Sequence, residues 1–177
     1  MNIALTVRPA ADEFAPFYAS YVASVPNGEI TRTLSQQGEA FLARLKNLSE
    51  EQAAFAYAPG KWSVKEVVCH IMDAERIFAY RILRIGRGDV TPLASFDENA
   101  YMPASGAKDR ALDALLGEFA AVRAATLALL RCLPEAAWTR RGTASGKEVS
   151  VRGLAWIAAG HAMHHERILR ERYRLPV

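Results

Sequence analysis

Nowhere in this chain of 177 residues is there a run of about 18 apolar residues, so no membrane-spanning helix is expected. The stretch Met1 to Pro9 carries one Arg and a few apolar residues. Without a basic start and a long apolar core it does not read as a signal peptide. Cysteine is scarce: Cys69 and Cys132 are too few for a disulfide scaffold, and neither sits in a CxxC pair. Cys69 follows Val67 and Val68 and is read as a small core residue. These absences make a reducing, cytoplasmic setting the expectation. Dense Lys/Arg blocks are missing as well, and the net charge is only +3, so nucleic acid is not an expected partner. No alternating strand pattern and no internal repeat is seen.

What is present is helical periodicity. Hydrophobic residues make up 51% and charged residues 23%, enough to bury the core of a folded domain. Phe14, Phe17, Tyr18 and Tyr21 are spaced as in a helix over residues 12–25, and Pro26-Asn27-Gly28 stops it. Glu29 to Leu48 carries the stripe Ile30, Leu34, Phe41, Leu45 and Leu48, interrupted by the polar stretch Ser35-Gln36-Gln37-Gly38. Two capping boxes follow, Ser49 to Gln52 and Ser63 to Glu66, and the second opens a long helix to about Ile85. Asp89 to Lys108 is a long loop, and its length marks it as either functional or disordered. Asp109 to Leu133 is helical again, Glu135 to Lys147 reads as a polar loop, and Ser150 caps a last helix to about Tyr173, with Pro176 beyond its end. The predicted fold is all-α: a four-helix bundle over residues 29–177, preceded by an extension (residues 1–28) with a short extra N-terminal helix.

The four histidines are His70, His161, His164 and His165. His161 and His165 are four apart and share the apolar face of the last helix, while His70 lies on the inward side of the second long helix. Bundle cores build metal sites from side chains on facing helices. Three imidazoles would leave a coordination position open for water, as catalytic sites do. Spacing alone does not separate a His161/His165 pair from a His161/His164 pair. A histidine on an apolar face is also compatible with an ordinary core role.

Several segments together resemble the DinB-like superfamily of four-helix-bundle metal-dependent enzymes. They are Lys61-Trp62-Ser63-Val64-Lys65-Glu66-Val67-Val68-Cys69-His70, Asp73-Ala74-Glu75-Arg76, Phe96-Asp97-Glu98-Asn99 and Gly160-His161-Ala162-Met163-His164-His165. The resemblance runs from about residue 30 to 173. It implies His70, His161 and His165 as ligands of a divalent metal ion, zinc or nickel ahead of iron or manganese, with His164 as an extra. It also implies a homodimer. Related members include bacillithiol- and mycothiol-dependent S-transferases and a thiol-dependent maleylpyruvate isomerase.

An open metal position either activates water, giving a hydrolase, or ionises a thiol, giving a thiol S-transferase. The expected partner is a small-molecule substrate such as a low-molecular-weight thiol. No Glu lies between His161 and His165 as in HExxH, which weighs against a peptidase-like hydrolase. Asp73 and Glu75 are candidate helpers, Asp73 as an acceptor orienting an imidazole or else as a salt-bridge partner of Arg76 or Arg81. Asn99 is a candidate substrate contact from a loop over the mouth of the bundle, and His164 a candidate base. Local capping is the plainer use of the Asp97 loop. The alternative to an enzyme is a non-catalytic metal-binding or stress-related bundle.

Overall fold

The computed structural model describes residues 5–173 and 175. The expectations for Met1 to Ala4 and for Pro176 fall outside them. Four long helices form the body: α2 (Ile30–Leu45), α4 (Val64–Gly86), α6 (Leu112–Arg131) and α7 (Val151–Arg172). Short helices α1 (Ala19–Ser24), α3 (Glu50–Ala54) and α5 (Glu98–Ala104) decorate it, with a hairpin of β1 (Arg141–Ala144) and β2 (Lys147–Ser150). Both capping boxes form as expected. Ser63 Oγ accepts from the Glu66 amide at 3.3 Å, and the Glu66 carboxylate accepts from the Ser63 amide at 2.8 Å. Ser150 Oγ accepts from the Gly153 amide at 2.9 Å and starts α7. No described helix is long and apolar enough to cross a membrane.

The bundle is not a simple meander. Both α2 and α4 pack against α6 and α7, which puts the consecutive long helices α2 and α4 on a diagonal. The long connections allow this, because loop closure grows only slowly more costly with length.

Two departures from the sequence reading matter for the site. First, the expected polar loop after Glu135 contains the β1–β2 hairpin, with Arg141 opposite Ser150 and Ala144 opposite Lys147. Ser145 and Gly146 make its two-residue turn, both at positive φ (53° and 70°), as a hairpin-compatible turn requires. The supposed loop at 89–108 is pinned to it: the Leu93 amide donates to Thr143 O at 2.8 Å and Leu93 O accepts from Ser145 N at 2.9 Å. Second, the short N-terminal helix covers less than the expected residues 12–25. Residues 11–13 and 16–18 are single 3-10 turns, with Pro16 starting the second, and only Ala19–Ser24 is α-helical. This segment packs directly on α7. Gly160 lets the two backbones touch, since a methyl there would overlap the Tyr21 carbonyl and lie 2.9 Å from Tyr21 Cα.

The core divides into two apolar clusters. On α2 the break falls between Leu34 and Phe41, on α6 between Phe119 and Leu127, and on α7 between Ala159 and Ala162. A polar layer fills it. Arg123 grips Glu75 with Nε at 2.8 Å from Oε1 and Nη2 at 2.8 Å from Oε2, both residues being fully buried. Arg123 Nη1 also donates to Leu34 O at 2.5 Å and to Gln37 Oε1 at 3.3 Å, and Gln37 Nε2 donates to Ala159 O at 3.1 Å. This explains the polar interruption in α2. Gln37 belongs to the network, and Gly38 leaves room for Arg123, whose Cγ would be 3.2 Å from an added Cβ.

Arg123→Met should destabilise the fold by about 3–5 kcal/mol in urea titration, because it strands a buried carboxylate. Glu75→Leu added to it should recover most of that loss. Gly160→Ala should cost about 1–3 kcal/mol in the same measurement, since rigid backbone on α1 must move aside.

Candidate metal centre

His70 lies two turns into α4, and His161 and His165 lie one turn apart on α7, directly beyond the polar layer. The packing of α4 on α7 brings their rings together. His70 Nε2 is 3.0 Å from His161 Nε2 and 3.1 Å from His165 Nε2. Among the described residues these three form a group able to hold a metal ion, with ligand atoms all within 4.8 Å of one another. Nitrogen ligands with bonds of 2.0–2.1 Å stand about 3.3 Å apart around a tetrahedral ion and about 2.9 Å apart at right angles. The observed spacing lies between the two, so the donor set fits a divalent ion.

The local electrostatics suit ligation by neutral imidazole. Burial pushes the His70 pKa down to about 4, with His164 adding to the shift and the Glu98 charge opposing it. Burial and the charge of His70 push His165 down to about 3. His161 is held well below its ordinary value by burial and by both partners. A metal ion therefore meets three bare nitrogen lone pairs near neutral pH and displaces few protons.

The trio lines a cavity of about 270 Å³. Its walls come from distant parts of the chain: Tyr18 and Tyr21 before the bundle, Trp62 before α4, Phe78 on α4 and Phe96 from the pinned segment. Phe17, 76% exposed, stands at its edge. The Trp62 and His70 ring centroids are 4.9 Å apart, and those of Phe78 and His161 5.8 Å. Aromatic walls exclude water and strengthen charge interactions inside.

The other predicted residues separate. His164 lines the same cavity but its ring packs on Tyr21 (centroids 5.2 Å apart), outside the trio. Of the two pairings open in the sequence, the structure brings His161 together with His165. Asp73 faces Cys69 Sγ at 3.8 Å and Arg76 Nη1 at 3.4 Å rather than an imidazole. Glu75 is committed to Arg123. Asn99 lies in a neighbouring depression with Trp62 and His165. Asp97 caps α5, its Oδ1 accepting from the Asn99 amide at 2.9 Å and the Ala100 amide at 3.2 Å. That cap turns Glu98, not Asn99, onto the wall of the histidine cavity. Cys69 is buried and its thiol pKa is raised by burial and by Asp73, the opposite of an activated nucleophile.

Sequence reading missed Glu98, Arg81 and the two tyrosines as cavity residues. Only the cap at Asp97 signalled where Glu98 would fall.

The DinB superfamily profile matches residues 33–169. No protein of curated function matches the chain. Solved structures share its fold. YfiT from Bacillus subtilis, described as a probable metal-dependent hydrolase with an unusual four-helix bundle topology, aligns with a TM-score of 0.68 at 17% identity, over 98% of this chain and 97% of its own. A mycothiol-dependent maleylpyruvate isomerase aligns with a TM-score of 0.66 at 17% identity, over 82% of this chain and 61% of its own. A DinB-like protein of Bacillus subtilis, YjoA, gives 0.61 at 20% identity, over 85% and 96%. The diagonal bundle and the profile spanning three of its four long helices almost whole, and most of α2, carry one conclusion: this chain belongs to the DinB superfamily.

Proposed function

We propose that this chain is a metal-dependent enzyme acting on a small molecule, with His70, His161 and His165 as the ligands of one divalent ion. The observation carrying this reading is the convergence of three Nε2 atoms, 3.0 and 3.1 Å apart, on the wall of an aromatic cavity. A closed structural site would use a fourth protein ligand, and among the described residues the group is of three histidines. When bound, the ion supplies a Lewis acid that lowers the pKa of bound water toward neutrality or ionises a thiol. Zinc or nickel suits three imidazoles best, ahead of iron or manganese.

The hydrolytic reading comes first, because Glu98 stands on the cavity wall close enough to influence His70. A half-buried carboxylate there can accept the proton that an activated water gives up. HExxH places its base within the ligand motif; here α5 supplies it. The aromatic cavity and the likeness to a mycothiol-dependent enzyme favour thiol transfer as the second reading. Glu98 serves equally to take the thiol proton. A homodimer in the cytoplasm completes the proposal.

His70→Ala should abolish stoichiometric metal in elemental analysis while leaving the helical circular dichroism largely intact. Glu98→Gln should retain the metal and lose about 10²-fold or more in turnover across a panel of hydrolase and thiol-transfer substrates. Full activity in a metal-free His161→Ala variant would overturn the reading. In metal-free protein the lowered histidine pKa values also set an acid limit. Between about pH 6.5 and 4 the unfolded chain binds protons that folded His70 refuses. Stability should therefore fall as pH drops through this window, by up to about 1.4 kcal/mol per pH unit for each such histidine. Thermal melts with chelator should show the fall, and added zinc should suppress it.

A further inference from the structure

We propose that Arg81 is the anion-binding end of the cavity, and that the molecule bound there is an apolar-bodied carboxylate whose charged end lies on Arg81 while its other end faces the histidines. This deepens the metal-enzyme reading by naming the substrate class, and it rests on that reading only for what happens at the far end.

Three cations are buried among the described residues: Lys65, Arg81 and Arg123. Lys65 pairs with Glu50 at 2.5 Å, and Arg123 pairs with Glu75. Arg81 is 3% exposed, and among the described residues no carboxylate forms an ion pair with it. A guanidinium removed from water without a counter-charge is expensive, and proteins seldom keep one without a use. Its Nη2 donates to Ala94 O at 2.8 Å and to Ser145 Oγ at 2.9 Å. The remaining polar group beside it is the Tyr18 phenol. Arginine has five N–H donors in a planar fork. Two neutral acceptors on Nη2, with the Tyr18 phenol bonded to the guanidinium as well, fix its orientation and leave its remaining N–H donors to meet a two-oxygen anion.

Position supports the same conclusion. Arg81 lines the histidine cavity and follows His70 by about three helical turns on the same face of α4, roughly 16 Å of axial rise. Ala74 and Phe78 lie between them on that face. The cavity is therefore polarised. Glu98 acts on His70 and Tyr21 at one end. The uncompensated cation stands at the other. In metal-free protein a carboxylate is repelled from the first and drawn to the second, and the aromatic walls fit an apolar body in between. Ser145 holds its hydroxyl on Arg81 from a left-handed backbone conformation, the one non-glycine residue at positive φ among those described.

The test measures binding of 3-phenylpropionate and its neutral analogue 3-phenylpropionamide by calorimetry, on zinc-loaded and on chelator-treated protein. The carboxylate should bind at least ten-fold more tightly than the amide in both preparations. Arg81→Gln should abolish that preference. Ser145→Gly tolerates the turn but removes a hydroxyl that steadies Arg81, so it should weaken the preference without abolishing it, and a preference unchanged in Ser145→Gly would count against Arg81 as the anion site. Equal binding of acid and amide by the unaltered protein overturns the proposal, as does a preference that survives Arg81→Gln. Because the chelator-treated arm reads the anion site without metal, failure of the metal reading would leave this result standing, and the reverse.

Discussion

The buried Glu75–Arg123 pair is the constraint on which the rest of the structure depends. His70 meets His161 and His165 within 3.1 Å only if α4 and α7 keep one register, and apolar packing alone tolerates sliding. The pair and its neighbours bind α6 to α4 through Glu75, α6 to α2 through Leu34 O, and α2 to α7 through Gln37 and Ala159 O. Glu75 is five residues from His70, and Ala159 two from His161. The lock thus sits within about a turn and a half of the ligands on each helix. Buried ion pairs are poor sources of net stability, and a hydrophobic substitute of equal volume often does as well. What hydrophobic side chains lack is direction. A bidentate arginine also bonded to a main-chain carbonyl admits one arrangement of the helices around it.

Holding the site in this way carries an electrostatic consequence. Burial that would otherwise penalise protonated imidazole is the same burial that keeps all three rings neutral and ready to ligate. The N-terminal segment shares in this. Without α1 the outer face of α7 around Gly160 and His161 would be open to water. With it, Tyr21 closes over the ring of His161 (centroids 5.8 Å apart) and contributes a cavity wall. The segment is fastened at two glycines of α7, Gly160 and Gly153, and by an ion pair between buried Glu13 and Arg152. Fastening at glycine lets backbone approach backbone, so the wall is held rigidly although α1 is only six residues long.

The helices were legible from periodicity and capping because those signals are local: each box needs only a hydroxyl and a carboxylate or amide three residues apart. The histidine trio was legible in outline for the same reason, since i, i+4 spacing on an apolar face fixes direction. Choosing His165 over His164 required the neighbour helix, which periodicity does not describe. The β1–β2 hairpin escaped because its strands do not alternate cleanly. Arg141 to Ala144 runs from exposed to buried, and only the Ser145-Gly146 pair marked the turn. Of the two readings of Asp73, the salt bridge to Arg76 is the one formed, because a position three residues after His70 on a helix need not face the partner helix; it faces Arg76 on its own helix and Cys69. Gln36 and Gln37 looked like a flaw in the α2 stripe. Gln37 is part of the polar layer, and a stripe interrupted by a buried amide and a glycine is what a helix over such a layer must show.

Shared fold at 17–20% identity leaves the reaction open, because the bundle can present a metal to any cavity that its loops enclose. The four long helices of this chain supply the histidine trio and the lock. The groups that line the rest of the cavity come largely from elsewhere: Tyr18 and Tyr21 from before the bundle, Trp62 from the loop ahead of α4, Phe96 and Glu98 from the segment pinned by the hairpin, and Ser145 from the hairpin turn. Phe78 and His164 join them from the long helices, and so does Arg81, a helix residue steered by two of those added pieces through Ala94 O and Ser145 Oγ. A change in the hairpin therefore reaches the far end of the cavity without disturbing the histidines, whose register is set by the polar layer. In the proposed enzyme, metal affinity and substrate choice are thus governed by separate parts of the chain, and such a bundle can acquire new substrates while its histidines stay in place.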